Sequence, residues 1–300
     1  MKKTVWGSLG VAAAYVCWGV LTVFWNLLGE VNSVYVLSQR IIWSMVFMGI
    51  FIAVTGKWKE IAPVFRNRKQ LATCFICGIL ITINWGVYIF AVSSGHVLDA
   101  SLGYFIEPVL VGTIGMLVFR ERPSRMEKIT FLFALIGVAY MIVRTRTVPM
   151  LALLISGSFA LYGAVKKNLD ISPYASLFME TLCMTPFALI FAFWADHAGM
   201  GSVGVLAGAE FLLLPACGII TSVPLLLFNI GVKEIPYYIS GILMYINPTL
   251  QFLMGLFYFH EELDTNRLVA FCFIWFGILF TVADHVGQSR RTYKAGRSKI

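Results

Sequence analysis

The chain has 300 residues, of which 59% are hydrophobic and 13% charged, with a formal net charge of +8 and a mean hydropathy of +0.82. Those residues cannot supply the polar surface that a soluble domain of this length needs. The apolar residues run continuously for about 20 positions at a time, without the alternation of a membrane β-barrel, so the sequence predicts an all-α integral membrane protein.

In chain order, ten apolar runs are expected to span the bilayer: 7–28, 35–55, 71–92, 100–119, 128–144, 149–166, 174–194, 211–231, 237–259 and 266–285. The first follows Met1-Lys2-Lys3 and is too long for the core of a cleaved signal peptide, so it reads as a retained span. It carries Trp18 and Trp25, which read as cavity walls, with Trp25, near the span end, read rather as a residue of the aromatic belt. The second span carries Arg40, and the third carries Asn84, Trp85 and Tyr88. The fourth carries Ser101, Tyr104, Glu107 and Pro108, and ends in Arg120-Glu121-Arg122. The sixth is the shortest match, bounded by Pro149 and Lys166. The seventh carries Glu180, and the ninth carries Tyr245, Asn247, Pro248 and Gln251.

The fourth and ninth spans are one segment written twice, 140 residues apart. Leu102-Gly103-Tyr104-Phe105-Ile106-Glu107-Pro108 aligns without a gap on Ile242-Leu243-Met244-Tyr245-Ile246-Asn247-Pro248. The same register pairs Gly115 with Gly255, Phe119 with Phe259 and Glu121 with Glu261. It extends to Cys77-Gly78 with Cys217-Gly218 and to Gly137 with Gly277. Yet the first copy closes among arginines and the second as His260-Glu261-Glu262. Each copy holds five spans, an odd number, so the second is expected to run upside down. The predicted units are a first repeat over 1–146, a second over 147–287 and a basic tail over 288–300, with a seam at 144–149.

Of 23 lysines and arginines, all but Arg40, Arg144, Arg146 and Arg267 fall on the side of both termini. The positive-inside rule makes that side cytoplasmic. Lys166 and Lys167 read as determinants of this topology. Position within the membrane accounts for the net charge, and no nucleic-acid partner is implied. The six cysteines lie inside apolar runs and imply no disulfide framework.

A charged group inside hydrocarbon costs about 2.5–3.5 kcal/mol at the helix centre on insertion scales. Arg40, Glu107 and Glu180 therefore need an account. One is that they line an aqueous cavity where substrate binds or protons couple. The other is a structural ion pair, or for Arg40 snorkelling to the interface. Pro108 and Pro248 each remove a helical hydrogen bond, freeing the carbonyls of Tyr104 and Met244. Paired interruptions in corresponding helices point to a transport site with hinges there; simple packing kinks are the alternative. Ser101, Tyr104 and Glu107 flank the first proline, and Tyr245, Asn247 and Gln251 the second. Asn84, Trp85 and Tyr88 either line the cavity or bond and pack between helices.

Several motifs carry no chemistry. Cys74-Phe75-Ile76-Cys77 has redox or zinc spacing but opens an apolar helix with no second ligand pair. Gly199-Met200-Gly201-Ser202-Val203-Gly204 spells a dinucleotide fingerprint with no strand before it. There is no phosphate loop, catalytic triad, metal set or cofactor motif, so any transport is passive or driven by a gradient. A membrane enzyme would need a cluster of ionisable groups at one interface, and a sensor or scaffold an output domain.

Taken together these residues resemble the EamA branch of the drug/metabolite transporter superfamily, each repeat closing in Pro…Phe-x-Glu. More narrowly, segments such as Tyr15-x-x-Trp18-Gly19, Gln39-Arg40, Ile83-Asn84-Trp85, Ala160-Leu161-Tyr162-Gly163 with Lys166, Glu180-Thr181 and Tyr245…Pro248 are similar to the RarD group. The resemblance implies an inner-membrane permease or exporter of small metabolites or drugs working by alternating access, proton-coupled or uncoupled, with Tyr162 also at the cavity. Two positions depart from the group's pattern, which has Asn at Glu107 and Gln at Met244; a family-wide proton role for Glu107 does not follow. The expected partners are the lipid bilayer and a small solute, with protons as the coupling ion. Gly112-x-x-Gly115 marks a close helix approach, within one protomer or across a homodimer.

Overall fold

The computed structural model describes the backbone of residues 2–93, 97–145, 150–260 and 265–297, and the side chains of 3–91, 103–144, 150–260, 265–266 and 268–283. Among these residues the regular structure is helical throughout. The helices are α1 (Lys2–Val20), α2 (Thr22–Asn26), α3 (Ser33–Thr55), α4 (Ala62–Arg66), α5 (Arg68–Ser93), α6 (Val97–Leu117) and α7 (Arg125–Thr145), then α8 (Met150–Asn168), α9 (Pro173–His197), α10 (Leu213–Glu234), α11 (Tyr237–Met244), α12 (Ile246–Phe257) and α13 (Thr265–Arg297). Short 3₁₀ turns occupy Lys57–Glu60 and Gly208–Leu212.

Eight helical stretches are long and apolar enough to cross a membrane, and two shorter apolar helices, Gly103–Leu117 and Leu268–Ala283, accompany them. The protein is a multi-pass membrane protein. The spans are mostly uninterrupted because their hydrogen bonds close within each helix, the arrangement that a bilayer demands. Polar residues handle the ends. The Asn32 side chain caps α3 by accepting from the Val34 and Tyr35 amides at 3.1 Å each. Ser124 and Glu127 cap α7 reciprocally, and Ser172 caps α9, which starts with proline. Gly56, at φ 67°, ends α3 in the left-handed conformation that glycine adopts freely.

The first span carries a single-residue irregularity at Leu21, which stays αR with i→i−4 hydrogen bonds on both sides, so α1 and α2 form one continuous span. The ninth is interrupted at Tyr245 between α11 and α12, beside the Met244 carbonyl that Pro248 frees. The expected basic tail from 288 continues α13 as helix to Arg297.

The packing has a regular pattern under the 140-residue shift. α1 packs on α10 and α5 on α8; α3 packs on α10 and α5 on α9; α6 packs on α8 and α12 on α1. Each of these pairs becomes its partner pair when the shift is applied in both directions, while α3 with α9, α7 with α13 and α6 with α11 map onto themselves. The detail holds at single residues. A Cβ on Gly137 would lie 3.1 Å from the Ala270 carbonyl, and one on Gly277 would lie 3.2 Å from the Thr130 carbonyl. Residues 130 and 270 are themselves a shifted pair. Arg120 and His260, also a shifted pair, both adopt φ 54° where their helices end.

Candidate functional site

Two buried polar clusters lie toward opposite ends of the bundle, with Glu107 between them at the middle of α6. The first gathers on Arg40, two turns into α3. α2 carries the Trp25 ring against the guanidinium, 4.3 Å from its centroid. α5 brings Trp85 to 4.0 Å. The Arg40 Nε donates to Thr221 Oγ1 on α10 at 3.3 Å. Tyr88 and Tyr104 lie within electrostatic reach of the same guanidinium, and their rings pack edge to face at 5.5 Å. Among the described residues no carboxylate lies within ion-pair distance of Arg40. Trp25 is thus a partner of the Arg40 cation.

Glu107 sits one turn beyond Tyr104 on α6 and is 5% exposed. Among the described residues it accepts no hydrogen bond and pairs with no cation, so the alternative of a structural ion pair with Arg40 is not formed. The hydroxyls of Tyr15, Tyr104 and Tyr237 lie within its electrostatic reach. Next to it an aromatic group fills the centre. Trp18 packs on Tyr15 at 5.6 Å and on Phe159 at 5.7 Å, and Phe228 touches both Trp18 and Phe159. Tyr15 shares a 3.0 Å hydrogen bond with Ser240 on α11. Sequence reading took Trp18 and Tyr162 from this group as cavity residues, quoted Tyr15 only within a motif, and passed over Phe159 and Phe228, which look like ordinary apolar residues of a span.

The second cluster is an ion pair. Lys166 on α8 and Glu180 on α9 are joined directly, with side chains 1% and 2% exposed, and the Ser176 hydroxyl lies between them. Lys166 is therefore buried, not a solvated topology marker. The signal was available in the short connection between α8 and α9, which sets the last turns of one against the first turns of the other. Tyr162 stands one turn away and donates to Asn229 at 3.3 Å.

The remaining expected residues divide. Asn84 donates to the Ile155 carbonyl of α8 at 2.7 Å, an interhelical role. Gln251 donates to Asn247 at 2.9 Å. The Tyr245 hydroxyl, at the break, is buried and has no partner among the described residues. The side chain of Ser101 lies outside the described residues. α6 runs without interruption through Pro108, whereas the span containing Pro248 is interrupted at Tyr245. The half-helix α11 that results is capped from the segment after α6: the Glu121 carboxylate accepts from the Tyr237 and Tyr238 amides at 2.7 and 3.0 Å. Lys167 approaches the same carboxylate at 3.5 Å. No three His, Cys, Asp or Glu among the described residues are placed to hold a metal ion.

Comparison with known proteins places this geometry in context. The model of the EamA-like transporter family matches the chain twice, at residues 5–143 and 147–283. The uncharacterized transporter YojE of Bacillus subtilis is 35% identical over 291 residues, covering 96% of this chain and 97% of that protein. Protein RarD of Escherichia coli is 32% identical over 293 residues, covering 98% and 99%. The chloramphenicol-sensitive protein RarD of Pseudomonas aeruginosa is 25% identical over 300 residues, covering 99% and 100%. A solved crystal structure shares the fold with a TM-score of 0.70 at 17% identity, covering 91% of this chain and 96% of its own.

Proposed function

The chain belongs to the EamA-like transporter family, and from that premise we propose that it is a secondary-active permease of small metabolites or drugs working by alternating access. In this reading ten spans form two inverted five-helix repeats, over 1–146 and 147–287, in a bacterial inner membrane with both termini cytoplasmic. What supports the inversion is the exchange of packing partners under the 140-residue shift together with the charge bias of the loops. The repeats rock about a central path that runs from the Arg40 cluster past Glu107 to the Lys166–Glu180 pair. The single observation that carries the reading is that Glu107, buried, and Arg40, partly buried, both lie within their spans without a charged partner among the described residues. Membrane interiors retain such groups where a solute or ion meets them. An uncoupled facilitative permease is the second reading, in which Glu107 takes up no proton.

The test uses purified protein in liposomes with an internal pH dye, challenged with a metabolite and drug library that includes chloramphenicol. Solute flux with proton movement supports the coupled permease. Flux without proton movement moves the reading to the facilitative one. Absence of flux for every solute, from protein with an intact unfolding transition, counts against transport itself.

A further inference from the structure

We infer that the Arg40 cluster is an anion subsite, and that the transported solutes include small organic acids whose carboxylate docks on Arg40 beside an aromatic or apolar body. The inference rests on the permease reading and goes beyond it by naming a chemical class.

The argument starts from what the guanidinium lacks. It offers five N–H donors in a fixed fork. One, at Nε, is used on Thr221, and the indoles of Trp25 and Trp85 meet the delocalised charge. Rings supply cation–π attraction, but they accept no hydrogen bond along the edge of the fork. Among the described residues the terminal nitrogens have no acceptor, and no carboxylate neutralises the charge. A structural arginine in a membrane protein would be expected to end on carbonyls or an acid. This one has its body fixed and its fork unused, the condition of a receptor for a planar bidentate anion.

The lining then selects among anions. Trp25, Trp85 and the Tyr88–Tyr104 pair surround the cation with ring surface, whereas a site for a free inorganic ion would be lined with further donors. Glu107, one turn from Tyr104 on α6, is the carboxylate within reach of that tyrosine. No cation stands beside Glu107 among the described residues to receive a second carboxylate deeper in the path, so the fitting solute is a monoanion. Its apolar part would lie toward Trp18 and Phe159.

The experiment uses the full chain in nanodiscs, with tryptophan emission and thermal unfolding as readouts. The probes are phenylacetate, hexanoate, 2-phenylethanol, phenethylamine and inorganic phosphate. The expected result is that a carboxylate quenches emission and raises the unfolding temperature, while the alcohol, the amine and phosphate do not. Arg40→Lys should weaken the response by about tenfold or more, since bidentate geometry is lost. Arg40→Met should abolish it; this variant removes a charge from the span and is expected to fold. An equal response to the alcohol or the amine, an unchanged response in Arg40→Met, a phosphate response matching that of phenylacetate, or no response to either carboxylate would each overturn the inference. Flux of the same probes into liposomes separates the two readings. Arg40-dependent binding without flux leaves the anion subsite standing and sinks the permease. Flux of phenylacetate that ignores Arg40 does the reverse.

Discussion

Lys166 and Glu180 form an ion pair that joins α8 to α9 with both side chains almost fully excluded from solvent. The second carboxylate oxygen, Oε2, has no partner among the described residues, so the pair is held by one strong contact and by Ser176. Removing one member strands a buried charge, at a cost of about 3–5 kcal/mol, while removing both for apolar residues costs far less. Lys166→Met and Glu180→Leu should therefore each lower the thermal unfolding temperature strongly, and the double variant should recover most of the loss. Additive losses in the double-mutant cycle would show that the pair is not coupled.

Glu107 differs from Glu180 in having no cation beside it. In the coupled permease it is the group that takes up and releases the proton, so Glu107→Gln should retain solute binding and lose solute-driven proton movement in dye-loaded liposomes. Proton movement that persists in this variant would assign the coupling elsewhere.

Glu121 gives the Pro…Phe-x-Glu motif a physical reason. The glutamate follows a residue at φ 54° that ends the helix after α6, and its carboxylate reaches across to cap α11. Losing a cap costs about 0.5–2 kcal/mol. Glu121→Ala should speed hydrogen exchange over Tyr237–Met244 more than over α10, and Glu121→Asp should restore part of the protection. Uniform acceleration across the bundle would mean global destabilisation instead.

Much of this architecture was legible. Hydropathy located the apolar spans, and the 140-residue register paired Gly137 with Gly277, which meet the equivalent residues Ala270 and Thr130 on the facing helices. What stayed hidden is what hydropathy averages away. Pro108 and Pro248 occupy equivalent places, yet α6 runs on through the first while the helix breaks at Tyr245 before the second. The charged candidates were found individually, but their partners were not: Lys166 was read with its loop, and Trp25 with the interface. A burial cost identifies the residue that needs an explanation, not the neighbour that supplies it.

The close contacts of the shifted glycines predict opposite effects for one kind of substitution. A Cβ on Gly218 would collide with the Trp43 backbone carbonyl, while one on Gly157 would meet nothing within 4 Å. Backbone cannot rotate away as a side chain can, so Gly218→Ala should destabilise by about 1–3 kcal/mol through overpacking. Gly157→Ala, in the middle of α8, should stabilise by about 0.5–1 kcal/mol through helix propensity. Thermal unfolding in detergent reads both, and the same sign for the two would refute the packing described for α3 and α10.

Pro108 and Pro248 occupy equivalent positions and do different things. α6 continues through Pro108, so that proline costs a hydrogen bond inside an intact helix. Pro248 is the third residue of α12, where an amide has no intrahelical partner in any case. Replacing Pro108 by alanine should therefore raise thermal stability and leave turnover nearly unchanged. Replacing Pro248 by alanine restores an amide that can reach the Met244 carbonyl and fuse α11 to α12. If the interruption at Tyr245 is the hinge on which the repeats move, Pro248→Ala should slow solute flux several-fold without lowering the unfolding temperature, and increase hydrogen-exchange protection at residues 245–249. Equal effects of the two substitutions on flux would mean that the moving element lies elsewhere.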